Sequence, residues 1–135
     1  MGGLSAWQGL FDYGRLQRGE RVIVTGASGE VGHLAVQLAQ LAGAEVVAAG
    51  PADLVFDTAG GELPAADRVV TVAHEAPGAV FFVVEPNRGQ LIEIGEAGLQ
   101  PEIDSIFPLD RAREAFDRVA SRGKHGKVVF DVAGA

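Results

Sequence analysis

The sequence predicts an α/β fold with a mostly parallel sheet, and three observations carry that prediction. Val22-Ile23-Val24 is a continuous apolar run of the kind shown by a strand buried on both faces. A glycine loop, Gly26 to Gly32, follows at once, and Val31, Leu34, Ala35, Leu38 and Leu41 then recur at helical spacing. Gly43 sits where a helix C-cap favours a left-handed residue, and Glu45 to Ala49 after it reads as a second strand. Together these segments make one βαβ unit.

Ahead of the unit, Ser5 is predicted to cap a short helix that carries Ala6, Trp7, Leu10 and Phe11 on one side and ends at Gly14. The Arg18-Gly19-Glu20 turn leads into the first strand. Beyond the unit, Leu54-Val55-Phe56, Arg68 to Ala73 and Ala79 to Val84 are three further strand candidates bounded by Gly, Pro and Asp. A weak helix is expected around Gln90 to Ile94. A second helix, capped by Asp110, carries Ala112, Ala115, Phe116 and Val119 on its apolar face, and a strand is expected over Lys127 to Val132. Trp7, Phe11, Phe56, Phe81, Phe82, Phe107, Phe116 and Phe130 are the aromatic core candidates. No internal repeat or low-complexity tract interrupts the chain.

The length of 135 residues suits one domain, 1–135, with a nucleotide-binding core over 19–86 and a C-terminal helix-strand segment over 87–135. Hydrophobic residues at 47% and charged residues at 21% are globular values, which argues against disorder. A net charge of −7, with no basic cluster to offset it, makes nucleic acid and anionic membrane poor partners. The absence of cysteine excludes disulfides, thiol nucleophiles and thiolate zinc sites. No apolar run approaches the roughly 20 residues that span a bilayer, and no secretory signal is visible, so a cytoplasmic location is the expectation.

The chemistry is concentrated in the glycine loop. Ala27 to Gly32 reads A-x-G-x-x-G with Gly26 just ahead, a variant of the dinucleotide fingerprint G-x-G-x-x-G in its required strand-loop-helix context. Gly29 lets the backbone approach a pyrophosphate, and Gly32 lets the helix pack close to its strand. The helix N-terminus offers N–H groups and a partial positive charge to the phosphates. A structural turn with no ligand is the competing reading. A Walker loop is excluded, because Gly32 is followed by His33 and not by Lys. At the end of the second strand, Ala48-Ala49-Gly50-Pro51 supplies no acid for an NAD ribose, which favours NADP by default, although no Arg, Lys or Ser stands ready for its phosphate.

Four stretches in this order resemble the cofactor half of the medium-chain dehydrogenase/reductases: Leu4 to Gln8, Val24 to Ala39, Val55 to Gly61 and Gly126 to Val129. Within that superfamily they look most like the zinc-independent, NADPH-dependent quinone oxidoreductases. The resemblance implies a Rossmann-like dinucleotide-binding domain, hydride transfer from NADPH to a quinone or enone, and a homodimer. By position it implies that Ala27, Ser28, Gly29, Glu30, Val31 and Gly32 surround the pyrophosphate. Thr58, Gly60 and Gly61 would lie towards the adenosine, and Thr71 to Ala73 with Phe81 to Val83 would flank the nicotinamide. No catalytic residue and no metal ligand is assigned.

The family's substrate-binding domain, about a hundred residues long, has no counterpart here. Only Gly50 to Asp53 join the second strand to Leu54, where the family has a helix, a strand and another helix. A parallel crossover takes a dozen or more residues, so a continuous chain is expected to fold this part with antiparallel hairpins. Three origins stay open: an engineered contraction, a chain with segments left out of it, and a natural degenerate copy. The functional alternative is an engineered or degenerate α/β scaffold that binds no cofactor and has no activity.

The remaining polar candidates read as structural. Tyr13 lacks the lysine four residues on that a short-chain dehydrogenase needs. His74, near the C-terminal end of a strand, is a weak proton-donor candidate, and His125 lies in a turn. His33 is expected to face solvent or the cofactor phosphates. Asp57 is expected to cap or turn the chain at its strand end. The mixed charges of Arg111 to Arg118 read as a solvated helix face.

Overall fold

The computed structural model describes residues 1–133. Two helices open the chain: α1, Gly2–Trp7, runs directly into a π-helical turn, Gln8–Tyr13. The βαβ unit follows as β1, Arg21–Thr25, α2, Gly32–Leu41, and β2, Glu45–Val46. Then come β3, Leu54–Asp57, β4, Arg68–Thr71, and β5, Val80–Phe81. Last are α3, Arg88–Glu96, β6, Ile103–Pro108, a 3-10 turn at Leu109–Arg111, α4, Ala112–Ala120, and β7, Lys127–Asp131. No helix among the described residues is long and apolar enough to cross a membrane.

Five strands form one sheet in the order β2-β1-β3-β4-β5, and β6 with β7 forms a second, two-stranded sheet. All of these pairings are parallel. The hairpins expected after Gly50 are therefore not there, and the reason is strand length. β3 and β4 have four residues each, so each rises only about 13 Å at roughly 3.3 Å per residue. An extended connection covers that return with few residues beyond the turns. Residues 47–53, 58–67 and 72–79 make the three crossovers without a helix among them.

The register alternates side chains between two faces. Val22 opposite Leu54, and Val24 opposite Phe56, itself opposite Val70, point to the face covered by helices. There they join Leu34, Ala35, Leu38 and Ala39 of α2 with Ala6 and Leu10 in a single buried cluster. Complete burial of a side chain such as Phe56 is worth about 1.5–3 kcal/mol. This cluster fixes α2 across the sheet and so holds the glycine loop at the end of β1.

Several local expectations shift. Ser5 lies buried inside α1, which starts earlier and is capped by Met1; the Ser5 N–H already bonds the Met1 carbonyl at 2.9 Å. β2 is shorter than Glu45 to Ala49, because the chain leaves the sheet after Val47 bonds Val22. Asp110 lies within the 3-10 turn leading into α4, not ahead of it. The weak helix is longer than expected and is capped by Asn87, whose side chain accepts from the Gln90 N–H at 3.0 Å.

Among the aromatic candidates, Phe56 and Phe82 are buried, and Trp7 and Phe11 pack half-buried against the core. Phe81, Phe116 and Phe130 are exposed. β5 is a two-residue strand at the edge of its sheet, and α4 packs mainly on the small β6-β7 sheet.

Candidate functional site

β1, β3 and β4 end at one edge of the sheet with Thr25, Asp57 and Thr71 in register across it. The row is closed by hydrogen bonds to the Asp57 carboxylate, which accepts from the Thr25 hydroxyl at 2.5 Å and the Thr71 hydroxyl at 2.6 Å. The Ala59 and Gly60 N–H groups donate to it at 3.2 and 2.9 Å, the turn-capping role expected of this residue. Burial pushes the Asp57 carboxyl up, but the bonds from Thr25, Thr71, Gly60 and Ala59 outweigh it and hold the group below the ordinary aspartate value. The row therefore carries a buried, ionised and fully partnered carboxylate. It clamps the three strand ends and shapes the loop at Thr58 to Gly60.

The glycine loop leaves β1 at the same edge. Gly26 has φ +68°, and a side chain there would bring its Cβ within 2.6 Å of the Thr58 hydroxyl. The Gly29 N–H closes a turn onto the Gly26 carbonyl at 2.9 Å, and α2 begins at Gly32. A Cβ on Gly32 would lie 1.9 Å from the Gly26 carbonyl oxygen. Only glycine permits that approach.

Ala27, Ser28 and Glu30 are exposed, Gly29 and Val31 are half-buried, and Gly32 is buried. No side chain caps the N-terminus of α2. The positive end of the helix is thus left without a side-chain cap and favours an anion such as a diphosphate, while the His33 amide is already bonded to the Gly29 carbonyl.

The other sequence-predicted positions lie around this edge. The Thr58 hydroxyl donates to the Thr25 carbonyl at 2.6 Å, which ties its loop to the glycine loop. Gly60, at φ +78°, faces His74 and Ala73. Thr71 is buried with its hydroxyl committed to Asp57, so this side chain offers nothing to a ligand, and Ala73 beyond it is exposed. Phe81 and Val83 are exposed, whereas Phe82 turns inward and stacks on Tyr13 with ring centroids 4.5 Å apart.

Nothing in the residue pattern signals that the C-terminal unit reaches the loop. The Gly126 N–H donates to the Ser28 carbonyl at 3.1 Å, and Lys127 Nζ meets Glu30 at 2.6 Å. The hydrogen bond from Lys127 holds the Glu30 carboxyl below the usual range against the opposing effect of burial. Their charges cancel, so Glu30 does not repel an anion at the helix end. Glu30, Val119, Lys124, Gly126, Lys127, Val128 and Val129 line a cavity of about 220 Å³ beside the loop.

His33 departs from expectation. It is buried, with Nδ1 2.7 Å from the Gly29 carbonyl and Nε2 accepting from the Glu102 N–H at 3.1 Å. It faces neither solvent nor the loop mouth, because β6 begins directly over it. Among the described residues, no three or more His, Cys, Asp or Glu side chains are arranged to hold a metal ion.

A parallel sheet whose first strand feeds a glycine loop and an uncapped helix defines a Rossmann-like α/β domain. The zinc-binding dehydrogenase family model matches residues 77–130. A probable zinc-binding oxidoreductase, mitochondrial, of Arthroderma benhamiae is 30% identical over 196 positions, covering 96% of this chain and 59% of the relative. That span exceeds the length of this chain, so the relative carries residues between the matched segments that are lacking here. The quinone oxidoreductase of Coxiella burnetii has a TM-score of 0.82 at 24% identity, over 98% of this chain and 58% of that one. The Thermus thermophilus quinone oxidoreductase, solved alone and with NADPH, has a TM-score of 0.75 at 22% identity, over 98% and 63%. By these matches the chain is similar to the zinc-binding dehydrogenases and to oxidoreductases of the medium-chain dehydrogenase/reductase superfamily. It spans a little under two thirds of the length of these relatives.

Proposed function

We propose that this chain binds NADPH through the glycine loop and is the NADP(H)-binding domain of a quinone-oxidoreductase-like enzyme. The observation that carries the reading is the contact of Gly32 with the Gly26 carbonyl. It folds the loop so tightly that backbone, not side chains, lines the end of α2. The amides of Ser28, Glu30 and Val31 would hold the pyrophosphate, with the Gly29 amide bonded to Gly26 to keep the turn closed. Thr58 and Gly60 would border the adenosine side, and the backbone at Val72 and Ala73 with Phe81 and Val83 would border the nicotinamide. When bound, the nicotinamide supplies the hydride, and a quinone or enone is the acceptor class. The cysteine-free sequence favours the zinc-independent branch.

The residues fit one end of the cofactor better than the other. β2 stops at Val46, and Ala48 to Pro51 turn away without a basic side chain, so nothing at that strand end selects a 2′-phosphate. This observation favours a second reading, an α/β scaffold that keeps the loop but binds no dinucleotide.

Fluorescence titration with NADPH, and in parallel with NADH, separates the two. Saturable NADPH binding that is lost in Gly29→Trp supports the proposal. No binding to the parent protein at millimolar cofactor leaves the scaffold reading.

A further inference from the structure

We propose that His33 is a positioning residue for the glycine loop: its neutral Nδ1–H tautomer anchors the Gly29 carbonyl and so aims the Glu30 N–H outward from the end of α2. The inference rests on the reading of that loop as a diphosphate site.

Both ring nitrogens are constrained. Nδ1 lies 2.7 Å from a carbonyl oxygen, which can only accept, so Nδ1 carries the hydrogen. Nε2 lies 3.1 Å from the Glu102 backbone N–H, which can only donate, so Nε2 is bare. One tautomer satisfies both. Only 7% of the residue is exposed, which leaves water little part in these bonds.

The Gly29 carbonyl also accepts the N–H of His33 itself, at 3.1 Å. One residue thus donates twice to the oxygen of a half-buried glycine peptide in the loop. A trans peptide holds its C=O and the following N–H antiparallel in one plane, and this chain has no cis bond among its described residues. Fixing the Gly29 oxygen towards His33 therefore fixes the Glu30 N–H in the opposite direction, off the positive end of the helix. A glycine-rich loop otherwise has wide freedom to turn that peptide over.

The second ring nitrogen links this setting to the C-terminal unit. The Glu102 carbonyl accepts from the Lys127 N–H at 2.8 Å, and Gly126 next to it holds the Ser28 carbonyl. The β6-β7 sheet thereby grips the loop at Ser28, at Glu30 through Lys127, and at Gly29 through His33.

The test uses the whole chain, with ring ¹⁵N NMR and NADPH titration. The expected ring spectrum has a protonated Nδ1 and a bare Nε2 at pH 7.5; an Nε2–H tautomer or an imidazolium there overturns the proposal. His33→Phe, which removes both ring bonds, is expected to weaken NADPH binding about tenfold, whereas His33→Asn, whose amide can replace Nδ1, stays within about threefold of the parent. If His33→Phe does not fold, the comparison passes to His33→Asn against His33→Gln, whose amide falls nearer the Nε2 position. A tenfold advantage for Asn supports the role, and equal affinities overturn it. Failure of the parent chain to bind NADPH overturns the dinucleotide reading, and this one with it. Parent binding that His33→Phe leaves unchanged overturns the role of His33 alone.

Discussion

The Thr71 hydroxyl donates to the Asp57 carboxylate at 2.6 Å, and neither residue exposes any surface. The pair sits where β3 and β4 end side by side, and Thr25 completes the row from β1. Three short strands would hold their ends in line only weakly through backbone pairing. The charged row supplies the missing constraint.

Replacing Thr71 by Val removes one bond to this carboxylate with little change of shape. The expected loss of stability is about 1.5–3 kcal/mol, the range for a hydrogen bond to a charged group. Urea denaturation at pH 7 measures it, and a loss under about 0.5 kcal/mol would contradict the assigned geometry. The loss should also depend on pH. Asp57 titrates below its ordinary value in the folded chain, so the unfolded state binds more protons through the acid range. Its stabilisation is therefore complete above about pH 4 and disappears as pH falls through the folded value. The gap between parent and variant is expected to narrow below that pH.

Gly32→Ala tests the tight fold of the loop. With a Cβ 1.9 Å from the Gly26 carbonyl oxygen, the backbone itself must move. A destabilisation of at least about 3 kcal/mol is expected, above the common range for overpacking a core. Gly95→Ala is the control. That residue lies inside α3 with no atom near its missing Cβ, so the change is expected to stabilise by about 0.5–1 kcal/mol. Thermal unfolding of the two variants should move in opposite directions.

The parts of this molecule that were legible in its sequence are those with a strong local requirement. The Gly26 to Gly32 loop is written in residues whose missing side chains the packing demands, and α2 in an apolar stripe that one face of the sheet must bury. β6 was not legible. Its residues Ile103-Asp104-Ser105-Ile106 show no alternation a strand would need, and its stability comes from β7 and from Arg118, both distant in sequence. The parallel crossovers are hard to read in the residues because their span depends on strand length, and β2, β4 and β5 are shorter than the apolar runs that contain them. The burial of His33 depended on β6, so it could not be read before β6 was.

Arg118 and Asp104 hold the β6-β7 unit together. The guanidinium reaches the two carboxylate oxygens at 2.6 and 2.7 Å, and the His125 N–H adds a third bond at 3.0 Å. The hydrogen bond from Arg118, with that from the His125 N–H, holds the Asp104 carboxyl far below the usual range. Arg118→Ala is expected to loosen this unit and leave the five-stranded sheet intact, since no strand of the large sheet takes part. Hydrogen exchange reads that separation directly: the amides of His125 and β7 should exchange at least about tenfold faster, with those of β1 and β3 unchanged. Uniform acceleration across both sheets would show that the pair supports the whole fold.

Phe116 and Phe130 lie with ring centroids 6.5 Å apart on the outer side of the same unit, at 69% and 38% exposure. Ala115, one residue earlier, is the residue that α4 buries. The helix thus anchors itself through a small side chain and leaves its largest one in water, which invites association through an apolar patch. Phe116→Lys is expected to lower binding of a hydrophobic dye at least twofold and to raise the concentration at which the protein stays monomeric in light scattering. Its unfolding midpoint should stay within about 2 °C of the parent, because an exposed ring contributes little to the folded core. A fall of 5 °C or more would mean that the Phe116–Phe130 contact carries stability that its exposure conceals.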